Sequence, residues 1–304
     1  MSSSPRLLLI DDDRLQARLV SQQLKAFRGT KYEMDWAATY EEGIAKLLQG
    51  GYAACLLDYQ LGDRDGLELI REAKQRGCDV PIIFLTAESS SNIDIEAMNA
   101  GALDYLVKGE ISTAMLERSM RYALKLSETL AELHQLATRD SLTGLLNRRE
   151  MNRVLIEEVE RAHRFQRSFS FVMLDLDHFK AINDKHGHSA GDRVLKEAAQ
   201  RIQNTVRKVD RVARYGGEEI AVMLVELDQE AAQETAERML EAFRSAPFVI
   251  EEQLRISVTA SAGIATIRPD DETTVALALL DAADKALYAA KRGGRNRFVS
   301  AWKL

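Results

Sequence analysis

The sequence predicts an α/β chain of two unlike halves joined by a long helix. The first half is a doubly wound parallel sheet of five strands. The second is an α+β domain with a mixed or antiparallel central sheet. Three observations carry this. Over residues 6–112, short apolar runs alternate with amphipathic stretches, the pattern of strands buried on both faces between covering helices. Residues 111–137 contain neither Gly nor Pro. From about residue 139, strand-like runs pair through a hairpin and mix with helical patterns, which points to α+β. A length of 304 residues suits two domains. The expected boundaries are 1–112, a helical linker over 113–138, and 139–304.

The first-half strands are read at Leu7–Ile10, Ala53–Leu57, Ile82–Leu85 and, as the fifth strand, Leu103–Val107. Helical patterns separate them at 13–27, 40–49, 65–76 and 91–99. In the linker, Leu126, Leu130, Leu133 and Ala137 form a heptad-like seam, with Leu116, Met120 and Ala123 extending it backwards. The early turns suit either packing on their own domain or continuing the seam, and the later turns suit a paired helix. In the second half, helices are expected near 149–166, 192–208, 229–245 and 273–291, and strands near 169–176, 210–214, 219–225 and 255–262.

Composition narrows the function. Net charge is −6 with 46% apolar residues, enough for two real cores. Residues 1–112 hold 12 Lys+Arg against 18 Asp+Glu, and the rest is balanced at 29 of each. No basic face argues for a nucleic-acid partner. No apolar run approaches a membrane span of ~20 residues, and Met1–Pro5 has no signal-peptide core. Cys55 and Cys78 have no metal or disulfide spacing, as expected of reduced thiols in the cytoplasm.

Chemistry clusters at the strand ends of the first half. Asp11, Asp12 and Asp13 follow the first strand. Asp58, Thr86 and Lys108 close the third, fourth and fifth. Strand C-termini of a doubly wound sheet converge on its ligand-binding edge. Clustered carboxylates repel unless a cation neutralises them, and an oxygen-only set favours Mg²⁺. Asp13 could instead start the first helix. Singly, each residue suits a cap, a strand end or a solvated lysine; jointly, they suit a pocket.

Residues 6–125 resemble the receiver domain of two-component response regulators, through Leu9-Ile10-Asp11-Asp12, Leu56-Leu57-Asp58, Leu85-Thr86-Ala87 and Asp104–Lys108. The resemblance implies that Asp58 accepts phosphate from a histidine kinase. It implies that Asp11, Asp12 and Asp58 hold Mg²⁺ with a backbone oxygen near Tyr59 or Gln60. It also makes Thr86, Tyr105 and Lys108 the switch. Gly62 and Gly109 stand where this family usually carries Pro.

The second half carries Arg214-Tyr215-Gly216-Gly217-Glu218-Glu219-Ile220. Gly-Gly at a hairpin tip suits the positive φ of a tight primed turn and bares the backbone to a large ligand. The adjacent carboxylates suit a metal or a proton transfer. Asp175 ends an apolar strand, and Asp177-His178-Phe179-Lys180, Asn183, Asp192, Lys291 and Arg295 follow it. Asp175 and Glu218, on neighbouring strands, could bridge Mg²⁺ to phosphate oxygens. Lys180, Lys291 and Arg295 could neutralise phosphates. Asp192 could accept guanine's paired donors, which adenine lacks. The bland alternatives are a helix cap for Asp192 and a solvated helix end for Lys291 and Arg295.

Residues 139–300 are similar to a GGDEF domain, the diguanylate cyclase module. Arg139-Asp140-Ser141-Leu142-Thr143-Gly144-Leu145-Leu146-Asn147-Arg148-Arg149 is its opening pattern. Gly216–Ile220 is a Gly-Gly-Glu-Glu-Ile variant of its active loop. The resemblance implies conversion of two GTP into cyclic di-GMP and two pyrophosphates by a homodimer. Asp175, Glu218 and the Leu176 carbonyl would bind Mg²⁺, or Mn²⁺ in its place. Glu219 would deprotonate the attacking hydroxyl or ligate metal. Gly216, Gly217, Phe179, Lys180, Asn183, Asp192, Lys291 and Arg295 would bind substrate. Arg207 and Asp210 match the family's Arg-x-x-Asp inhibitory site for cyclic di-GMP, with Arg238 as a second arginine. The alternatives weighed against a cyclase are an inactive cyclic di-GMP receptor, a cyclase for another dinucleotide, and a DNA-binding output. The acids, the lysine and Asp192 argue against the first two, and the absence of a basic recognition helix against the third.

Overall fold

The computed structural model describes residues 4–87, 91–250, 254–271 and 273–301, with the side chains of 91–94 excluded. The start of the N-terminal segment, residues 1–3, lies outside the described residues. The chain divides into two units, one ending at Leu133 and the other beginning at His134.

The first unit runs β1 (Arg6–Ile10), α1 (Arg14–Lys25), β2 (Glu33–Ala37), α2 (Tyr40–Gln49), β3 (Ala54–Asp58), the two-residue strands β4 (Gln60–Leu61) and β5 (Arg64–Asp65), α3 (Gly66–Gln75), β6 (Ile82–Thr86), α4 (Ser91–Ala100) and β7 (Asp104–Val107). A 3-10 turn over Lys108–Glu110 leads into α5 (Thr113–Thr138). The main sheet has the order β2-β1-β3-β6-β7, all parallel. Alternate residues face opposite layers. Leu8, Ile10, Leu57 and Phe84 pack with Ile44, Leu67 and Ala97 of α2, α3 and α4. Leu7, Leu9, Leu56 and Leu85 pack with Val20 and Leu24 of α1 and with Leu116 and Met120 of α5. The sequence reading did not locate β2. This edge strand is only partly buried and carries Glu33 and Asp35, so it lacks the apolar run that marks a central strand.

In α5, Leu116, Met120 and Ala123 are buried, whereas Leu126, Leu130, Leu133 and Leu136 are exposed. The early turns therefore pack on the first unit. Among the described residues, no helix is long and apolar enough to cross a membrane.

The second unit continues with α6 (Arg148–Phe165), β8 (Phe169–Leu176), α7 (Phe179–His186), α8 (His188–Thr205), β9 (Arg211–Arg214), β10 (Glu219–Val225), α9 (Gln229–Arg244), β11 (Phe248–Val249), β12 (Arg255–Ile256), β13 (Ala260–Ile267), α10 (Ala276–Arg292) and β14 (Phe298–Ser300). Its sheet order is β14-β13-β8-β10-β9. The β13–β14 pair is parallel and the other three pairs are antiparallel. Val172, Leu174, Val222 and Ile264 face α8 and α9. Phe171, Met173, Met223 and Ala265 face α6 and α10.

Four details differ from the sequence reading. The expected strand at 255–262 is two strands, β12 and β13, with the long one starting at Ala260. The helix expected from 192 starts at His188, so Asp192 lies inside it and is not its cap. The short helix α7 and the parallel strand β14 were not foreseen. Their few apolar positions show no clear period.

Gly263 decides how closely α10 lies on the sheet. A Cβ there would stand 2.0 Å from the Ala283 carbonyl oxygen and 2.2 Å from the Leu287 nitrogen. Only glycine permits this approach, and α10 carries Lys291 towards the end of β8.

Candidate functional site

The first candidate site forms where the parallel strands end. Asp11 follows β1 and is fully buried, Asp58 ends β3 and is buried, and Asp12 is exposed. Each offers an oxygen within 4.8 Å of the others. Lys108 Nζ lies 2.9 Å from Asp11 Oδ2 and 2.8 Å from Asp58 Oδ2. Asp11 Oδ1 accepts the Asp13 amide at 2.8 Å. Oδ2 has the ammonium at ion-pair distance but no partner in hydrogen-bond geometry. Asp13 caps α1 through Leu15 N, so it belongs to the helix and not to the pocket.

One lysine serves two buried acids. Burial, with the charge of Asp11 adding to it, pushes Asp58 up to about 6 against the pull of Lys108. Burial also raises Asp11. Burial opposes the Lys108 ammonium, but Asp58 and Asp11 outweigh it and hold its pKa above the ordinary value. The pocket is thus short of positive charge. An oxygen-only set of three acids with one lysine suits a hard divalent cation such as Mg²⁺.

Local sequence builds this pocket. A Cβ at Gly66 would stand 2.3 Å from the Asp58 carbonyl oxygen, so glycine lets α3 start against the acid. The Gly66 amide donates to the Tyr59 carbonyl at 2.7 Å, which uses one of that oxygen's two lone pairs. The Trp36 indole donates to the Asp11 carbonyl at 2.8 Å. Gly62 N donates to Asp12 Oδ2 at 3.2 Å. Thr86 is buried at the end of β6, and Tyr105 on β7 is 38% exposed.

The second candidate site lies at the end of β8. Strand register places Glu219 directly opposite Asp175, so their side chains share one sheet face. Lys291 Nζ is 2.7 Å from Asp175 Oδ2, which removes the solvated helix end as its reading. Burial raises Glu219, with the charge of Asp175 adding to it. Burial raises Asp175 as well, opposed by Lys291. A carboxyl of raised pKa beside a lysine suits proton transfer and phosphate chemistry. Glu218 stands one residue before β10 and is not on a strand as expected; its carbonyl accepts the Leu176 amide at 3.4 Å.

The glycine loop works differently from the expected primed turn. Neither Gly216 nor Gly217 has positive φ, because the connection is longer than two residues: Arg214 and Ile220 form the nearest strand pair. The first glycine leaves room for the Glu219 carboxylate in the position it takes. A Cβ at Gly216 would stand 2.7 Å from Glu219 Oε2, while nothing lies within 4 Å of the corresponding position at Gly217. Arg214 holds the loop, donating to the Gly217 carbonyl from Nε at 3.1 Å and Nη2 at 2.9 Å. Its Nη1 meets Asp140 Oδ2 at 3.2 Å. The positioning roles of Asp140 and Arg214 were missed; their separation in sequence leaves no spacing signal.

Asn183 and Asp192 sit on consecutive helices. A Cβ at Gly191 would overlap Asn183 Oδ1 at 1.9 Å, so the amide rests on the backbone beside the exposed Asp192. Phe179 is buried against the same glycine, and Lys180 is exposed.

Arg207 and Asp210 hold each other. Arg207 Nη2 donates to Asp210 Oδ1 at 2.9 Å and to the Val225 carbonyl at 2.6 Å. Asp210 also accepts the Val225 amide at 3.1 Å. They line a cavity of about 640 Å³ together with Arg139, Arg153, Arg161 and Arg211. Arg238, on α9, is not among its lining residues; its Nη2 donates to Thr235 Oγ1.

These two sites define a class of chain in which a doubly wound module with a buried acidic pocket precedes a mixed-sheet module with a carboxylate, lysine and glycine-loop site. The family model for the diguanylate cyclase GGDEF domain matches residues 137–297, and that for the response regulator receiver domain matches residues 7–119. The chain belongs to the GGDEF diguanylate cyclase domain family and carries a receiver domain ahead of it. It is 31% identical over 304 residues to the response regulator PleD of Caulobacter vibrioides, covering 97% of this chain and 65% of that one. It is 35% identical over 242 residues to the diguanylate cyclase DgcP of Pseudomonas aeruginosa, covering 77% of this chain and 35% of that one. The chain thus spans about a third to two thirds of these relatives. The coiled coil and GGDEF domain of DgcB from Caulobacter crescentus, solved with c-di-GMP, is similar at a TM-score of 0.56 and 30% identity, over 62% of this chain and 97% of that one.

Proposed function

We propose that this chain is a phosphorylation-regulated diguanylate cyclase, converting two GTP into cyclic di-GMP and two pyrophosphates. The observation that carries the reading is Glu219 opposite Asp175, with Lys291 on Asp175 and Gly216 clearing space for the Glu219 carboxylate. Relatives named as diguanylate cyclases support it. Each 3′-hydroxyl attacks the α-phosphate of the other GTP in line, so two domains face each other across a dimer axis. Positioning and charge neutralisation do most of the work.

Glu219 takes the proton from the attacking hydroxyl; burial, with the charge of Asp175 adding to it, raises its pKa and makes it a stronger base than an exposed glutamate. Lys291 and Arg295 receive phosphate, and Lys180 adds charge at the start of α7. Asn183 and Asp192 read guanine. Asp175, Glu218 and the Leu176 carbonyl are the oxygens that would hold Mg²⁺ or Mn²⁺, which when bound neutralises phosphate charge. Asp58 accepts phosphate from a histidine kinase, and Asp11 and Asp12 are the acids that would hold Mg²⁺ beside it. Thr86, Tyr105 and Lys108 pass the change to the α5 helices, which pair through Leu126, Leu130 and Leu133. The product binds Arg207 and Asp210 as a brake, and that requires Arg207 to exchange its internal partner for the ligand.

Incubation of the full chain with Mg²⁺ and GTP, and separately with ATP, followed by chromatography tests the reading. Cyclic di-GMP from GTP alone, abolished in Glu219→Ala, is expected. Binding of cyclic di-GMP without its synthesis would replace the cyclase with a receptor. Equal rates and dimer content with and without beryllofluoride would remove the phosphorylation switch.

A further inference from the structure

The turn after α10 runs against backbone preference. Gly294, Arg295 and Asn296 have φ of 113°, 61° and 49°. Glycine accepts this region freely and asparagine tolerates it, but the Cβ of Arg295 disfavours it. Such a run persists only where neighbouring contacts over-determine it.

Asn296 is held from two sides. Its amide donates to Asp177 Oδ2 at 3.0 Å. Arg244 Nε donates to its side-chain Oδ1 at 2.8 Å, and Arg244 Nη2 to its carbonyl at 3.0 Å. Both clamping groups are themselves fixed. Asp177, just past β8 and 5% exposed, also accepts Thr259 Oγ1 and Ser261 Oγ, each at 2.7 Å. Arg244 ends α9 and pairs with Glu237 and Glu241. The clamp adjoins the second site: Ser261 is the strand partner of Asp175, and the Arg295 amide donates to the Ala290 carbonyl at 3.1 Å, next to the Lys291 that pairs with Asp175.

We propose that Asp177 and Arg244 are positioning residues for Arg295. By gripping Asn296 they keep the 294–296 turn left-handed, and so keep Arg295 at the end of α10, close after Lys291, to meet the polyphosphate of a nucleoside triphosphate. The inference rests on the GTP reading of this site. Arg295 by itself is a flexible cation on an exposed turn; held in place, it loses less freedom on binding.

Two variants of the full chain, Arg244→Gln at the surface and Asp177→Asn at the buried end, test this without emptying the core. Amide exchange at Asn296 reads the clamp, and calorimetry with a non-hydrolysable GTP analogue and with GMP reads its consequence. Faster exchange in both variants is expected, with roughly tenfold weaker analogue binding, the scale of one charge-assisted contact. GMP, lacking the outer phosphates, should bind as to wild type. Added to Arg295→Ala, neither variant should weaken the analogue further, since both act through that side chain. Unchanged exchange, equal loss for GMP, or an additive loss on Arg295→Ala would overturn the proposal. If the wild type took no analogue, the GTP reading would fall and the polyphosphate role with it. Exchange would still decide whether the clamp holds the turn.

Discussion

Glu219 and Asp175 face each other across β8 and β10, and Gly216 leaves the Glu219 carboxylate room to occupy that edge. A methyl group at position 216 would reach within 2.7 Å of Glu219 Oε2. Gly216→Ala should therefore displace the carboxylate and cut cyclic di-GMP formation about 100-fold, the usual cost of a misplaced catalytic group. The urea midpoint should stay near wild type, because the loop is at the surface. Wild-type activity in this variant would remove Glu219 from the reaction.

Gly263 tests how α10 reaches the site. An alanine Cβ would lie within 2.2 Å of backbone atoms of α10, which cannot yield as a side-chain tip can. Gly263→Ala should destabilise the protein by about 3 kcal/mol, at the upper end of overpacking costs. It should also weaken GTP binding as Lys291 leaves Asp175. Urea denaturation with calorimetry checks both; a loss below about 0.5 kcal/mol, the level of an ordinary surface change, would mean α10 can move aside.

At the first site, Gly62 has φ of 65° and gives its amide to Asp12. Proline has neither that φ nor an N–H. Gly62→Pro should release the exposed Asp12 carboxylate and weaken Mg²⁺ roughly fivefold, in line with one lost hydrogen bond of about 1 kcal/mol. Gly62→Ala keeps the donor and should fall between the two. Magnesium titration followed by Trp36 fluorescence reads the change, because the indole holds Asp11. Equal affinity in all three proteins would show that the loop does not orient Asp12.

Tyr40 provides a pH test away from both sites. Its hydroxyl donates to Glu72 at 2.8 Å, and burial, reinforced by Glu72, pushes its pKa up to about 12. The unfolded chain ionises tyrosine near pH 10. The folded state thus keeps the proton longer, and this stability is fully present below pH 10 and lost as pH rises through about 12. Tyr40→Phe should cost about 1 kcal/mol near neutrality, the worth of one hydrogen bond. Its disadvantage should shrink between about pH 10 and 12 in urea midpoints. A constant gap would mean that Tyr40 ionises alike in both states.

The central strands were legible because burial on both faces demands apolar runs such as Leu7–Ile10 and Ile82–Leu85. β2, β14 and α7 were not, because an edge strand or a single short helix needs few apolar positions. The acids at strand ends could be read as a pocket because parallel topology alone brings chain positions like Asp11 and Asp58 together. The glycine loop was legible as a site but not as a geometry: the primed turn that Gly-Gly suggests gave way to a loop held by Arg214.

The sequence by itself determined the two fold classes, the acidic pocket, and the residue types of the second site. These follow from local periodicity and from motifs confined to a few neighbouring positions. Only the tertiary structure decided that Glu219 rather than Glu218 faces Asp175, that Lys291 closes on that acid, and that Asp177 and Arg244 meet at Asn296. Strand register and helix packing make those contacts between distant segments, and no local spacing encodes them.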